Sequence, residues 1–430
     1  MFASQGTARR TTAALMLCAL PTAAQGTVWT VDDDGGADFL DLPAAISAAG
    51  EGDTLLVSAG SYSAFDIDGK SLTLLGDDGP APTVDGTFSV RNLASDQRVV
   101  VRHLDTGTPL AEGAVLLDNA GSVWIEDCVL RAQKGFNHPQ PGQHIHGYRG
   151  AEITNCADVV FLRSHLTGGE GAGLCDFLTD FLGNGGRGLS LSLSKVTLYD
   201  STVQGGRGGS DICSNVIQGK AGPPGIYMSS GSTFLSGTTV IGGPGGYGGD
   251  NYLWGGCANG GPGGPGFSLV GGELHHRDTQ FIGGAGGGGA AYYGCQNGPD
   301  GVGLFDGQGV EFPFAGNSKG FAAPSPLRAG TSQRASAFGL EGDLALMLLS
   351  STPTHDLNQA LGGVLLTTPS VVLPLGTLPA TGQLDAPLSF AGLPPAVESR
   401  TLYSQGVFLE TGGALVLGSG SALTLLGAGF

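Results

Sequence analysis

The chain has 430 residues, of which 79 are glycine and 23 are proline, while only 13% are charged. In a chain without a regular sequence repeat, so high a content of glycine and proline usually indicates disorder. The apolar fraction of 40%, however, is enough for a sizeable hydrophobic core if the glycines are collected in loops. The formal net charge of −18 repels nucleic acid and anionic lipid, so binding to polyanions is disfavoured. The negative electrostatic field of the chain is compatible with binding of cations such as calcium and of neutral sugars.

Residues 1–24 have the features of a secretory signal peptide. Arg9 and Arg10 precede the apolar stretch 11–20, and the small residues 22–24 are typical of a cleavage site. Cleavage would start the mature chain near Gln25 and, by removing two arginines from a chain of −18, leave it at −20. No later segment has the roughly 20 apolar residues of a transmembrane helix. We therefore predict an exported protein without a membrane span, extracellular or at the cell surface or envelope.

The middle of the chain contains four copies of one sequence motif, and each copy ends on a Gly-Gly pair. Inside each copy, apolar residues lie at fixed offsets around a hydroxyl position, and the earlier stretch 123–130 has Cys128 in that position. A ladder of equivalent positions is typical of stacked solenoid turns, in which each strand pairs with its copy one turn along. The copies are 159–169, 196–206, 233–243 and 274–284, and their hydroxyl residues are Ser164, Ser201, Thr238 and Thr279.

A further short strand precedes the earlier stretch 123–130 and each of the four copies. A glycine-rich loop of about 20 residues follows each of the four copies. Because each loop carries one cysteine and the loops should stack, we predict the disulfides Cys175–Cys213 and Cys257–Cys295 in an exported chain. Cys128 and Cys156 either form a third bridge or are buried thiols that replace a stacked serine. The predicted preceding strands are 115–117, 153–155, 189–193, 226–228 and 267–270.

The N-terminal part of the mature chain begins with a helix signature. Asp41 can cap a helix whose apolar residues follow helical spacing as far as Gly50, and the turn Gly52-Asp53-Thr54 then leads into a buried strand. This opening resembles that of the pectin-lyase-like right-handed parallel β-helix superfamily, over roughly residues 28–317. The resemblance implies an all-β fold: a right-handed parallel β-helix over 25–320, closed by an N-terminal capping helix. The apolar helix positions are Leu42, Ala45, Ile46 and Ala49.

An alanine- and proline-rich linker, 321–327, separates this region from residues 328–430. The C-terminal region has short apolar runs divided by glycine and proline turns, which predicts a small β-sandwich-like domain. The predicted strands are 345–349, 363–366, 371–373, 403–409 and 415–417.

Two groups of residues are candidates for chemistry. His144 and His146 have the i, i+2 spacing that directs two imidazoles to one face of an extended segment, which fits a metal site or an acid/base pair, although a solvated polar loop explains them as well. Asp-Gly turns offer hard oxygen ligands to calcium, but they are also common turn chemistry. The other catalytic candidates, expected on the same face, are Asp127, Asp158, His165 and Arg149. The calcium candidates in Asp-Gly turns are Asp32, Asp34, Asp66 and Asp68; Asp250 is a further candidate because the stretch 245–252 resembles a single calcium-binding RTX nonapeptide, although that mechanism needs tandem copies.

Two classes of function follow. The first is a non-catalytic secreted or envelope protein whose stacked glycine-rich loops bind a glycan, an extracellular matrix component or another partner. The second is a polysaccharide lyase or glycoside hydrolase acting in a groove along the β-helix. We favour the first, because the loops are poor in the carboxylates, arginines and aromatic residues that a sugar groove uses for acid/base work and stacking. Convergence of the catalytic candidates in one cleft would favour the second.

Overall fold

The computed structural model describes residues 13–15, 26–107, 111–136, 146–173, 182–211, 217–251, 256–289 and 294–430. Within these ranges the fold is almost entirely β, with one helix, α1 (Leu42–Ala48). Asp41 caps α1 with extended backbone and accepts from the backbone N–H of Leu42, and Pro43 lies in the first turn, where a missing N–H costs nothing. The predicted helix is therefore confirmed.

Ten parallel strands form a sheet that we call sheet A. Each strand pairs in register with a strand from the next segment of the chain. In spatial order the strands are β2 (Val28–Val31), β3 (Asp53–Val57), β5 (Leu72–Gly76), β7 (Arg98–Arg102), β10 (Ser122–Glu126), β13 (Asp158–Leu162), β16 (Ser194–Tyr199), β19 (Gly231–Ser236), β24 (Glu273–Arg277) and β27 (Val310–Phe314).

A second parallel sheet, sheet B, has 14 strands. Its order begins on β25 and ends on β26, which follow each other in the chain, so the sheet nearly closes on itself like a barrel. The order is β25 (Gln280–Ile282), β20 (Thr239–Ile241), β17 (Thr202–Gln204), β14 (His165–Thr167), β11 (Val129–Arg131), β8 (Asp105–Thr106), β6 (Thr83–Arg91), β9 (Ala114–Leu117), β12 (Ala151–Thr154), β15 (Leu189–Ser192), β18 (Ile226–Met228), β23 (Phe267–Leu269) and β26 (Leu304–Asp306), with β4 (Ser61–Asp68) paired to β6.

This topology contradicts the predicted right-handed parallel β-helix with a capping helix, and with it the resemblance to the pectin-lyase-like superfamily. The dominant element is the nearly closed parallel sheet B rather than a solenoid of separate faces. The physical reason lies in β6, whose nine residues are long enough to pair with two strands. Thr83 and Val84 pair with β8, whereas residues 88–91 pair with β9, so one strand joins two runs that the repeats alone would leave separate.

The register of the repeats is confirmed. Val159 pairs with Val196, Val196 with Thr233, and Thr233 with Leu274. In the hydroxyl column, the backbone N–H of Ser164 donates to Ser201 Oγ at 3.1 Å. The five strands predicted to precede the copies correspond to β9, β12, β15, β18 and β23.

Cysteine pairing follows the prediction in part. Cys257 and Cys295 form the predicted disulfide. Cys128 and Cys156 are buried free thiols, so the third bridge is absent. The backbone N–H of Cys128 donates to Ser164 Oγ at 3.2 Å, which makes this thiol the member of the hydroxyl column that the sequence suggested as the alternative. Cys175 and Cys213 lie outside the described residues.

The C-terminal region forms two sheets with a shared core. A five-stranded sheet and a four-stranded sheet contribute side chains such as Met347 and Phe390 to one buried cluster, so they pack face to face. The five predicted strands lie within β31, β33, β34, β36 and β37. The larger sheet has the order β29 (Leu327–Arg328), β37 (Leu415–Leu426), β36 (Ser399–Leu409), β31 (Leu344–Ser350), β34 (Val371–Thr377); the smaller has β1 (Ala13–Leu15), β35 (Gln383–Phe390), β30 (Ser332–Phe338), β28 (Gly320–Ala322).

Two hairpins complete the described strands: β32 (Pro353–Asn358) with β33 (Gly363–Thr367), and β21 (Asp250–Asn251) with β22 (Gly256–Cys257). Of the predicted signal peptide, only β1 falls within the described residues, and its removal from the mature chain stays a prediction. In the described parts of the chain no helix is long and apolar enough to cross a bilayer.

The central strands of sheet A, such as β10, are buried on both faces. Val123 and Ile125 of β10 point into the core shared with sheet B, whereas Trp124 between them packs against the C-terminal sheets, 4.9 Å from Tyr403 between ring centroids. Burying an aromatic side chain contributes roughly 1.5–3 kcal/mol. The cluster around Trp124 also contains Val160, Leu162, Tyr199 and Phe234 from sheet A and Val364, Leu366 and Ala422 from the C-terminal region.

The glycine-rich segments are hydrogen-bonded layers rather than irregular loops. In the segment 205–211, Gly205 and Gly208 donate to the next outgoing segment, at Ile241 O and Pro244 O, while Gly206 donates to the return segment at Gly186 O. This three-residue period is that of a polyproline II-like chain, which has three residues per turn and no internal hydrogen bonds. We call the two layers together the glycine lattice. Its outgoing layer comprises 168–173, 205–211, 242–249 and 283–289, and its return layer 183–188, 219–225, 258–266 and 296–303.

Only glycine permits this spacing. A Cβ on Gly246 would lie 1.9 Å from Gly209 O, and one on Gly206 would lie 2.0 Å from Gly169 O. The last turn is closed by side chains instead of another segment: Gly286 donates to Asp300 Oδ1 and Gly289 to Asn297 Oδ1. Side-chain acceptors at an open edge keep it from pairing with another chain.

Replacement of one lattice glycine tests this packing. Gly246→Ala should lower the free energy of unfolding by about 1–3 kcal/mol, because the methyl group forces two backbones apart. Gly412→Ala is the control, since nothing lies within 4 Å of a Cβ there. Thermal unfolding followed by circular dichroism, with limited proteolysis of 205–250, would compare the two. Equal behaviour of both variants would contradict the lattice.

Candidate functional site

Asp127, a catalytic candidate from the sequence, belongs to a buried ionic cluster between sheet A and the C-terminal sheets. Glu126 is fully buried at the end of β10, and the Asp127 that follows has the left-handed backbone angle φ of 54°. Arg102 Nη1 lies 3.1 Å from Glu126 Oε1, and its Nη2 lies 3.0 Å from Asp127 Oδ2. Arg163 binds both carboxylates as well, with its Nε 2.9 Å from Asp127 Oδ1.

Both carboxylate oxygens of Glu126 also accept hydrogen bonds from the C-terminal region. Ser421 Oγ donates to Oε1 at 2.5 Å, and the backbone N–H of Ala422 donates to Oε2 at 2.7 Å. Two arginines balance two carboxylates here, and their remaining donors bind carbonyl oxygens of residues 321, 323, 420 and 422. The cluster holds the C-terminal sheets on sheet A, and it leaves Asp127 no free role in acid/base chemistry.

Asp158 lies in a different place, below the hairpin β32–β33. Its Oδ1 is 2.8 Å from His355 Nδ1, and His355 Nε2 is 2.9 Å from Thr197 Oγ1. A carboxylate, an imidazole and a hydroxyl in series are also the parts of a nucleophilic triad. Thr197 is fully buried, however, so its hydroxyl cannot meet a substrate. The three residues fasten the hairpin to sheet A, and sequence analysis missed His355 and Thr197 because both partners are distant in the chain.

The remaining catalytic candidates do not converge with these. Arg149 pairs with Glu152 at 2.5 Å on the return side of the lattice. His146 Nδ1 accepts from the backbone N–H of Asn184, and His165 is an exposed residue of β14. His144 lies outside the described residues.

The calcium candidates are mostly engaged in turns and ion pairs. Asp32 Oδ1 accepts from the backbone N–H of Asp34, and one oxygen from each of residues 32–34 lies within 4.8 Å of the others. This is the group among the described residues whose spacing would allow a metal ion, although exposed acidic turns are common without one. Asp66 is paired with Arg91, which also lies 3.5 Å from Asp68 and offsets one of their two negative charges. The side chain of Asp250 is outside the description.

A cleft of about 500 Å³ between sheet A and the C-terminal region contains two carboxylates that the sequence did not single out. Burial raises the pKa of Asp200 to about 6, with the charge of Asp278 adding to the shift. Asp278 Oδ2 accepts from both the backbone N–H and Oγ of Ser318 at 3.0 Å. Gly237 lies between the two, and a Cβ there would be 2.5 Å from Asp200 Oδ1.

The outgoing layer of the glycine lattice carries an open groove of about 350 Å³. The three-residue period brings every third side chain to this surface, so Lys134, Glu170 and Arg207 occupy equivalent positions in successive turns, as the bonds from Gly135 to Glu170 O and from Gly171 to Arg207 O show. Lys134 Nζ lies 3.0 Å from Glu170 Oε2. The groove was predicted only as a stack of loops.

Tyr247 provides the aromatic surface of this groove. Its side chain is 50% exposed, and the guanidinium carbon of Arg207 lies 4.9 Å from the ring centroid. The backbone N–H of Tyr247 donates to Ser210 Oγ at 2.9 Å, which ties two neighbouring segments together under the ring. An exposed ring beside a cation on a fixed backbone is suited to binding a ligand with both apolar and polar faces.

No family model and no curated protein matches this sequence. The functional assignment therefore depends on the geometry of the sites described above. Among them, the groove on the glycine lattice is the one whose side chains are both exposed and held in place.

Loss of the buried carboxylate tests the role of the ionic cluster. Glu126→Ala should lower the free energy of unfolding by about 3–5 kcal/mol, because Arg102 and Arg163 remain buried without their partner. Glu126→Gln should cost less, since it keeps hydrogen-bond acceptance. Urea unfolding measures the difference, with Glu170→Ala on the exposed groove as the control, expected within about 1 kcal/mol of the wild type. A small loss for Glu126→Ala would show that the cluster does not fasten the two regions.

Proposed function

We propose that this protein is an exported, non-catalytic protein that binds a polysaccharide of the extracellular matrix or cell envelope through the outgoing face of its glycine lattice. The observation that carries the proposal is the half-exposed ring of Tyr247 beside Arg207 in an open groove built on hydrogen-bonded backbone.

The lattice suits binding because its surface is fixed before the ligand arrives. Backbone N–H groups of Gly205, Gly206 and Gly208 are already bonded to neighbouring segments, so little chain entropy is lost on association. Sugar rings present apolar C–H faces and hydroxyl edges, which match an aromatic ring flanked by charged and hydroxyl side chains.

The disulfide favours export. Cys257–Cys295 links neighbouring turns of the lattice, and such bonds persist in oxidising compartments outside the cytosol. The predicted signal peptide agrees with this location.

The positions of the catalytic candidates favour binding over cleavage. Asp127 lies under the C-terminal sheets and Asp158 under the hairpin β32–β33, while Arg149 and His165 lie elsewhere. The outer face of sheet A, where a groove along the parallel stack would lie, is covered at Trp124 and Tyr199.

Incubation with a panel of insoluble and soluble polysaccharides, with and without calcium, tests the proposal. We expect retention on at least one polysaccharide and no release of reducing ends or of unsaturated products that absorb in the ultraviolet. Tyr247→Ala should weaken binding about tenfold, the effect of losing roughly 1.4 kcal/mol of ring contact.

Phe305→Ala is the matched control, because Phe305 is an equally exposed aromatic residue on β26, at the last turn of sheet B. Its binding should equal that of the wild type. Cleavage of any polysaccharide, or binding that is insensitive to Tyr247, would overturn the proposal.

A further inference from the structure

The charges of the groove differ from those of the whole chain. The protein has 19 lysines and arginines against 37 acidic residues, yet the groove contains Lys134 and Arg207 against Glu170 alone. Lys134 and Glu170 pair with each other at 3.0 Å. The groove is thus left with the positive charge of Arg207 in excess, on the surface of an acidic protein.

Arg207 is the charged residue of this groove that has no ion pair within the described residues. Within the described parts of the chain no carboxylate pairs with it, and its Nε is buried without a hydrogen-bond partner. Its guanidinium instead rests beside the ring of Tyr247.

The neighbouring positions limit where an acidic group can bind. The next two turns place Pro244 and Ala285 at the position of Arg207, so positive charge in this row ends there. On the other side, the Glu170 carboxylate repels an acid but accepts hydrogen bonds from hydroxyl groups. These positions favour an orientation in which the acid group meets Arg207 and the sugar ring faces Tyr247.

We infer that the groove binds an anionic saccharide unit, with the ring stacked on Tyr247, the carboxylate or sulfate ester bound by Arg207, and the hydroxyls turned towards Glu170. This inference rests on the proposed function and names the ligand class of the same site. A guanidinium forms two parallel hydrogen bonds with either kind of acid group, which gives it the geometric selectivity that a lysine lacks.

Matched pairs of polysaccharides test the inference by calorimetry or affinity electrophoresis. The probes are alginate with its carboxyl-reduced neutral form, and dextran sulfate with dextran. At least one acidic polymer should bind ten or more times tighter than its neutral partner, and the two arms tell carboxylate from sulfate. Added salt should weaken binding to the acidic polymer, because Arg207 is partly exposed to solvent.

Variants then assign the preference to one side chain. Arg207→Gln should abolish the preference for the acidic member while leaving the weaker neutral binding intact, and Tyr247→Ala should weaken both. Lys195→Gln, which removes an exposed lysine of β16, is the control for net charge and should have no effect.

Equal binding of the acidic and neutral members, or a preference that survives Arg207→Gln, would overturn the inference. If neutral polysaccharides still bind in a Tyr247-dependent way, the proposed function stands without it. If no polysaccharide in either panel binds, both fail.

Discussion

Contact between backbones without side chains is the constraint on which this structure depends. Each turn of the chain leaves the parallel sheets, runs out as one glycine segment and returns as another, and the segments lie too close for any Cβ at positions such as Gly206 and Gly246. Their N–H groups bond in alternation to the neighbouring turn and to the opposite layer. A composition that suggests disorder is therefore what allows order here, and it turns the connections of a parallel fold into hydrogen-bonded layers.

The second constraint is the burial of the central strands of sheet A on both faces. The alternation Val123, Trp124, Ile125, Glu126 places two residues in the inner core and two under the C-terminal sheets. The apolar contacts of Trp124 supply stability, while the ion pairs of Glu126 fix the position of the upper sheets because a misplaced partner would leave a buried charge. With this face covered, the lattice is the large surface on which exposed side chains recur at regular positions.

Local sequence patterns predicted much of this arrangement, whereas contacts between residues distant in the chain could not be predicted from them. The cap at Asp41, the register of Ser164 with Ser201 and the Cys257–Cys295 bond depend on neighbouring turns, which the repeat spacing aligns. The joining of two strand runs through β6 was not predictable, because it depends on the length of one strand rather than on the repeat. His355 and Asp158 are 197 residues apart, and no periodicity relates them. Tyr247 lies in a glycine tract, and nothing in the sequence indicates that its ring is exposed beside Arg207.

Hydrogen–deuterium exchange of the native protein tests the lattice most directly. If the glycine segments are hydrogen-bonded layers, their bonded amides exchange as slowly as those of β10 and β13, since their protection then reflects the stability of the parallel fold. These amides are those of Gly205, Gly206, Gly208, Gly209, Gly242, Gly243, Gly245, Gly246 and Gly248. Exchange of these amides at the rate of an unstructured peptide, alongside protected strands, would contradict the account.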